Sequence, residues 1–159
     1  MNLLKLNRSA FTVKSIMDSL GEYLDNDDVT IEGYRIEPNI LEARQDIRLA
    51  RIGIYEDTDD VTDQVANYRP NLSLTRYSMD ISIYRGYQQD NQDYSEFVLY
   101  NIQDAIIEWS KFFKPSIITE KSIYSFGYIG AGTIIRFDRF ATRTLNFTAI
   151  KELNQNLIL

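Results

Sequence analysis

Hydrophobic and polar residues alternate most regularly between Leu72 and Tyr84. Tyr77, Met79, Ile81 and Ile83 fall on one face, and Ser78, Asp80, Ser82 and Tyr84 on the other. Period two with polar partners predicts a half-buried strand in a largely antiparallel sheet. A second strand is expected over Leu49–Tyr55, with Leu49, Arg51, Gly53 and Tyr55 facing one way and Ala50, Ile52 and Ile54 the other. Val29–Ile36 reads as a third, closed by Pro38 and Asn39, and entered through the acidic turn Asp25–Asp28.

Two stretches carry a helical period instead. From Ser9, a plausible N-cap, Phe11, Ile16, Leu20 and Leu24 recur at near-helical spacing with Val13 and Met17 beside them, predicting a helix to Leu24. Gly21 weakens its last turn. Leu99, Ile102, Ile106, Trp109 and Phe113 step by three and four, and Val98, Ala105 and Phe112 widen the stripe, so a longer helix is expected over Tyr94–Phe113. Asp93 caps it in this reading, Lys111 and Lys114 suit its C-terminal dipole, and Pro115 stops it.

The remainder reads as β-rich. Ile117–Ile118 and Ser122–Phe126 are short candidates, Gly127–Gly132 a flexible connection, and Thr133–Phe140 and Thr142–Ile150 long strands. Residues 40–48 are ambiguous between helical turn and loop. Glu56–Asp60 reads as a second acidic loop, Val61–Tyr68 as a weak segment before a break at Arg69–Pro70, and Gly86–Gln92 as a polar linker. The nine residues after Ile150 are a helical turn or an ordered tail. The order of elements predicts an α+β fold: a single domain over residues 1–159, with a mixed, mostly antiparallel sheet packed by an N-terminal helix and a long central helix.

Composition narrows the function. The 159 residues are 44% hydrophobic, enough for one ordinary domain core. Seventeen basic against twenty-three acidic residues leave a net charge of −6, a poor balance for coating a phosphate backbone. Histidine and cysteine are both absent, which removes disulfides, thiolate nucleophiles, Cys/His zinc sites and Ser-His-Asp triads. The opening residues lack a signal peptide's apolar core and no run approaches a membrane span, so a soluble protein with no membrane partner is expected.

The candidate chemistries are thin. Counted from Asp25 or Asp57, a calcium loop would need glycine at its sixth position, where Thr30 and Thr62 stand. Those acidic clusters read as solvated turns. Gly127, Gly130 and Gly132 form a glycine cluster such as a phosphate cradle uses, but a strand-like run follows where a helix would have to begin and no Lys-Ser/Thr pair is present, so a hairpin tip or arm is expected. Arg136, Arg139 and Arg143 lie close together, with Asp138 on the Arg136 face of a continuous strand. They form either an ion-pair lattice or a partner-facing stripe. Carboxylate pairs such as Glu32 and Glu37 could serve acid–base chemistry only if the fold gathered them. No cofactor or metal site is expected.

The helix Ser9–Leu24, the strand Leu72–Tyr84, the helix Tyr94–Phe113 and the closing segment Thr133–Ile150, in that order, resemble the tail terminator family of long-tailed bacteriophages. The resemblance covers most of the chain as an order of elements and brings no catalytic residues. It implies a non-enzymatic virion component, a hexameric homo-oligomer ring capping the tail tube and joining it to the neck, assembled in the host cytoplasm. The implied partners are the tail tube protein and a neck or head-completion protein, with DNA passing through the lumen without specific binding. Expected subunit or partner contacts are Asp57, Asp59 and Asp60, the glycine-rich segment with Gly127, Tyr128, Gly130 and Gly132, and Arg136, Arg139 and Arg143. Another neck or head-completion adaptor, a hydrolase built on Asp and Glu, and a small acidic binding module are the alternatives.

Overall fold

The computed structural model describes residues 8–37, 41, 50–60, 72–84, 92–113, 123–137 and 139–152. In chain order the elements are α1 (Arg8–Leu24), β1 (Val29–Glu32), β2 (Ala50–Asp60), β3 (Leu72–Tyr84), α2 (Gln92–Phe112), β4 (Ile123–Ala131), β5 (Ile135–Arg136) and β6 (Phe140–Glu152). The strands form one six-stranded sheet in the order β1-β2-β3-β6-β4, with β5 also on β6. β1 and β2 run parallel and the other pairs antiparallel, so the α+β, mostly antiparallel expectation holds. The expected segments at 42–48, Val61–Tyr68 and Ile117–Ile118, and the tail beyond Glu152, lie outside the described residues.

Both helices cover the same sheet face. Ile16 and Leu20 of α1 and Leu99, Ile102, Ile106 and Trp109 of α2 pack with Ile52, Ile54, Tyr77, Met79, Ile81, Leu145 and Phe147 in one core. Rings dominate its β4 side, where Phe126 stacks on Phe147 at 5.2 Å and meets Trp109 and Phe113 edge-on at 5.8 and 5.2 Å. The apolar stripe of α2 is thus seated as its periodicity predicts, with one correction. Phe112 is 69% exposed, because the buried arc is centred on Trp109 and Phe113 and the next position round the helix leaves it. α2 also begins at Gln92, which puts Asp93 inside the first turn and not at the cap.

α1 ends where Asp25 takes a left-handed conformation (φ 43°) and donates its N–H to Gly21 O at 3.0 Å. The Asn26 side chain then accepts from Asp28 N at 2.9 Å, an Asx turn that feeds β1. β1 stops at Glu32, four residues short of the expected end. The chain leaves the sheet at that point and crosses the other face of β2. Tyr34 O lies 2.6 Å from where a side-chain carbon on Gly53 would stand, so the crossing requires glycine. Ile36 and Leu41 then bury against Phe140 in a small second core.

Three further boundaries differ from expectation. Glu56–Asp60 is strand, not loop: it pairs with β3 down to Asp60↔Leu74, with a bulge between Glu56 and Thr58. Aspartate disfavours strands, but the long partner β3 supplies the ladder that holds this stretch extended. Gly127–Ala131 is likewise strand, completing β4, with Gly130 (φ 148°) at a register shift. Thr133–Phe140 is not a continuous strand. β5 is two residues long and the chain turns back at once, Phe137 N donating to Phe140 O at 2.7 Å. Arg136 ends β5, and Asp138, expected on its face of a longer strand, lies outside the described residues.

Candidate functional site

The sheet face opposite the helices is polar. Tyr55 from β2, Ser78 and Asp80 from β3, and Thr144 and Asn146 from β6 stand together on it, placed by period-two alternation and by the pairings Tyr55↔Ser78, Asp80↔Thr144 and Ser78↔Asn146. Asp80 Oδ1 accepts from Thr144 Oγ1 at 2.7 Å and from Tyr55 OH at 3.4 Å. Ser78 Oγ donates to Asn146 Oδ1 at 3.2 Å. Ser78 and Ser82 are almost fully shielded, because short side chains in a central strand sit below their neighbours. The middle of β3 is thus covered on both faces, beyond the half-burial its alternation predicts.

Burial raises the Asp80 pKa above the usual carboxylate value. The Thr144 hydrogen bond, the nearby Arg35 and the Tyr55 hydroxyl oppose that rise, and Glu37 adds to it. The Tyr55 hydroxyl is raised too, first by burial and then by the Asp80 charge. A carboxyl with a raised folded pKa holds its proton more tightly in the folded state, so its contribution is most favourable in acid. That contribution is lost as pH rises from the ordinary value of 3.8 through the raised one. Asp80→Asn removes the penalty while keeping an acceptor for Thr144. The expected result is a higher Tm than the parent at pH 7, with the gain vanishing below about pH 3.8, read by calorimetry at both pH values. An equal gain at both would refute the charge explanation.

Chemically this site holds one proton-binding carboxyl among hydroxyls. The Glu32 and Glu37 carboxylates are engaged separately, Glu32 with Arg51 on β2 and Glu37 with Arg35 at 3.5 Å. No group of three potential metal ligands occurs among the described residues. No helix among them is long and apolar enough to cross a membrane.

The residues named from sequence separate into two groups. Asp57, Asp59 and Asp60 lie at the far end of β2. Gly127 and Tyr128 lie in β4 at the same level of the sheet, since Glu56 pairs Tyr77, Tyr77 pairs Phe147, and Phe147 pairs Tyr128. Tyr128 also meets the Phe147 ring edge-on at 5.6 Å and belongs partly to the core. Gly130 marks the bulge, and Gly132 N donates to Thr144 O at 2.9 Å just beyond β4. The arginines sit toward the other end. Arg136 pairs with Glu96 of α2, and Arg139 lies in the β5–β6 turn. Arg143 donates to Gly132 O at 2.8 Å and to Gln103 Oε1 at 2.9 Å, pinning β6 to α2.

Sequence reasoning missed an aromatic surface. Phe97 and Tyr100 are exposed near the start of α2, and Tyr23 and Phe112 near the ends of the two helices. The latter rim a shallow cavity of about 300 Å³ with Ser19, Glu22, Trp109 and Phe113, where Trp109 Nε1 donates to Ser19 Oγ at 3.0 Å. Only the exact helical phase separates Phe112 from the buried stripe.

No family model matches the chain, and no curated protein does. Among solved structures, the chain is similar to one from the "Virion of native gene transfer agent (GTA) particle". The two are 9% identical with a TM-score of 0.48, over 88% of this chain and 93% of that one.

Proposed function

We propose that this protein is a virion structural subunit of the tail terminator kind, a ring of identical copies that caps the tail tube and joins it to the neck. The observation that carries this reading is the sheet itself. Among the described residues, no strand pairs with β2 beyond Gly53 on its outer side, and none pairs with the outer side of β4. Two open edges on opposite sides of one subunit suit a head-to-tail contact, the kind from which closed rings are built. The order of elements that resembles the terminator family agrees with it, and six copies is the number that resemblance implies. A net charge of −6 suits a wall past which DNA slides without sticking.

Catalysis is not needed in this reading, and Asp80 has a structural part, tying β3 to β6 through Thr144. Light scattering on the purified protein, with negative-stain imaging and mass spectrometry of purified virions, tests the proposal. Rings in solution or stoichiometric presence at the tail–neck junction are expected. A persistent monomer that is absent from particles would overturn it. Turnover of a substrate that is lost in Asp80→Asn would replace it with the hydrolase reading.

A further inference from the structure

The edges left open among the described residues have a definite geometry, and it says how copies would meet. β2 is antiparallel to β3, β3 to β6 and β6 to β4, so β2 and β4 run in opposite directions. Their open stretches are also level. Thr58 pairs Arg76, Arg76 pairs Thr148, and Thr148 pairs Gly127, one row running across the whole sheet on its polar face. A rotation that carries one subunit to the next around an axis along the strands keeps strand direction. It therefore sets the β4 of one copy antiparallel to the β2 of the next, with both helix layers on the same side. We infer that copies of this chain join edge to edge, with Ser125–Gly127 of β4 in one pairing antiparallel with Thr58–Asp60 of β2, the regular stretch beyond the bulge at Asp57, in its neighbour. The inference deepens the ring reading and rests on it.

Charge selects this pairing over the alternative. The β2 stretch carries Asp59 and Asp60 beside Asp57 and Glu56, so a second β2 placed against it would set carboxylates against carboxylates. β4, Ile123–Ala131, contains no charged residue at all. Bulges normally blunt an edge strand. Here the register shifts fall between Ile123 and Ser125 and between Tyr128 and Gly130, leaving Ser125–Tyr128 regular between them. Gly127 keeps the polar face of that run clear, with open space where a side chain would stand.

The chain contains no cysteine, so engineered pairs report without background. Thr58 is exposed, and a side-chain carbon at Gly127 meets nothing within 4 Å, so Thr58→Cys and Gly127→Cys are both sterically open. Directly opposed residues on antiparallel strands lie within disulfide reach. The full-length single variants, mixed and oxidised, are expected to give a linked species of twice the chain mass, while each alone stays unlinked. The double variant is expected to give a ladder ending at the ring. Linkage of Thr58→Cys to Ser125→Cys in place of Gly127→Cys supports the same edges two residues out of register. Asp104→Cys, exposed on α2, serves as an unlinked control. Self-linking of Thr58→Cys alone overturns the inference, as does an unlinked mixture. If that unlinked mixture still forms rings by light scattering and negative stain, the edge pairing falls while the ring reading stands. If it is monomeric at every concentration and absent from virions, both fall.

Discussion

Phe147→Ala is expected to cost about 3–5 kcal/mol of folding stability, a large part of what a small domain has. Phe147 is fully buried in β6, next to the sheet's centre, and Phe126 and Tyr128 both lie against its ring at 5.2 and 5.6 Å. Truncation removes the surface on which β4 packs its two rings, and a β-sheet backbone held on both sides by ladders cannot collapse to fill the gap. The urea midpoint should fall steeply with an unchanged slope, and the near- and far-ultraviolet dichroism should be lost together. Phe97→Ala is the matched control, because Phe97 is 63% exposed and its loss should stay within about 0.5 kcal/mol. A loss below about 1 kcal/mol for Phe147→Ala would refute the packing described for β4.

The second large effect lies on the opposite face. Arg51 is 4% exposed, and its guanidinium is hydrogen-bonded to Glu32, whose side chain is 12% exposed, where β1 meets β2. Arg51→Ala leaves that carboxylate shielded from water without its cation and is expected to cost about 3–5 kcal/mol. Replacing both groups, Glu32→Leu with Arg51→Met, removes the stranded charge and should cost far less than the single change, since a shielded ion pair contributes little net stability over apolar groups of similar size. Denaturant melts of the parent, both single variants and the double variant give the coupling directly. A double variant as unstable as Arg51→Ala would show that the guanidinium acts through something other than this carboxylate.

These two positions also mark what was legible in the sequence. The core face of β3 and the stripe of α2 could be read residue by residue, because each is a long run whose period leaves one interpretation. Ala50, Ile52 and Ile54 lie on the core face that their alternation predicts, for the same reason. The acidic end of β2 was not legible, since four carboxylates in five residues look like a solvated turn. It is the pairing with β3, Leu72–Tyr84, that holds them extended. Gly127–Gly132 misled in the same way: glycine signals a loop locally, and nothing local records that β6 lies alongside. The Asp80 cluster was invisible because its hydrogen-bond partner Thr144 is 64 residues away in the chain. The level alignment of the edges left open among the described residues exists only in the register.

The central pairing of β3 with β6 joins residues such as Ser78 and Asn146, which are 68 apart in sequence. During synthesis, β3 leaves the ribosome long before the neighbour that completes its ladder is made. Tyr77, Met79, Ile81 and Ile83 must wait, only partly covered, until β6 has been made beyond α2. Such non-local closure makes folding slow and the growing polypeptide prone to aggregation.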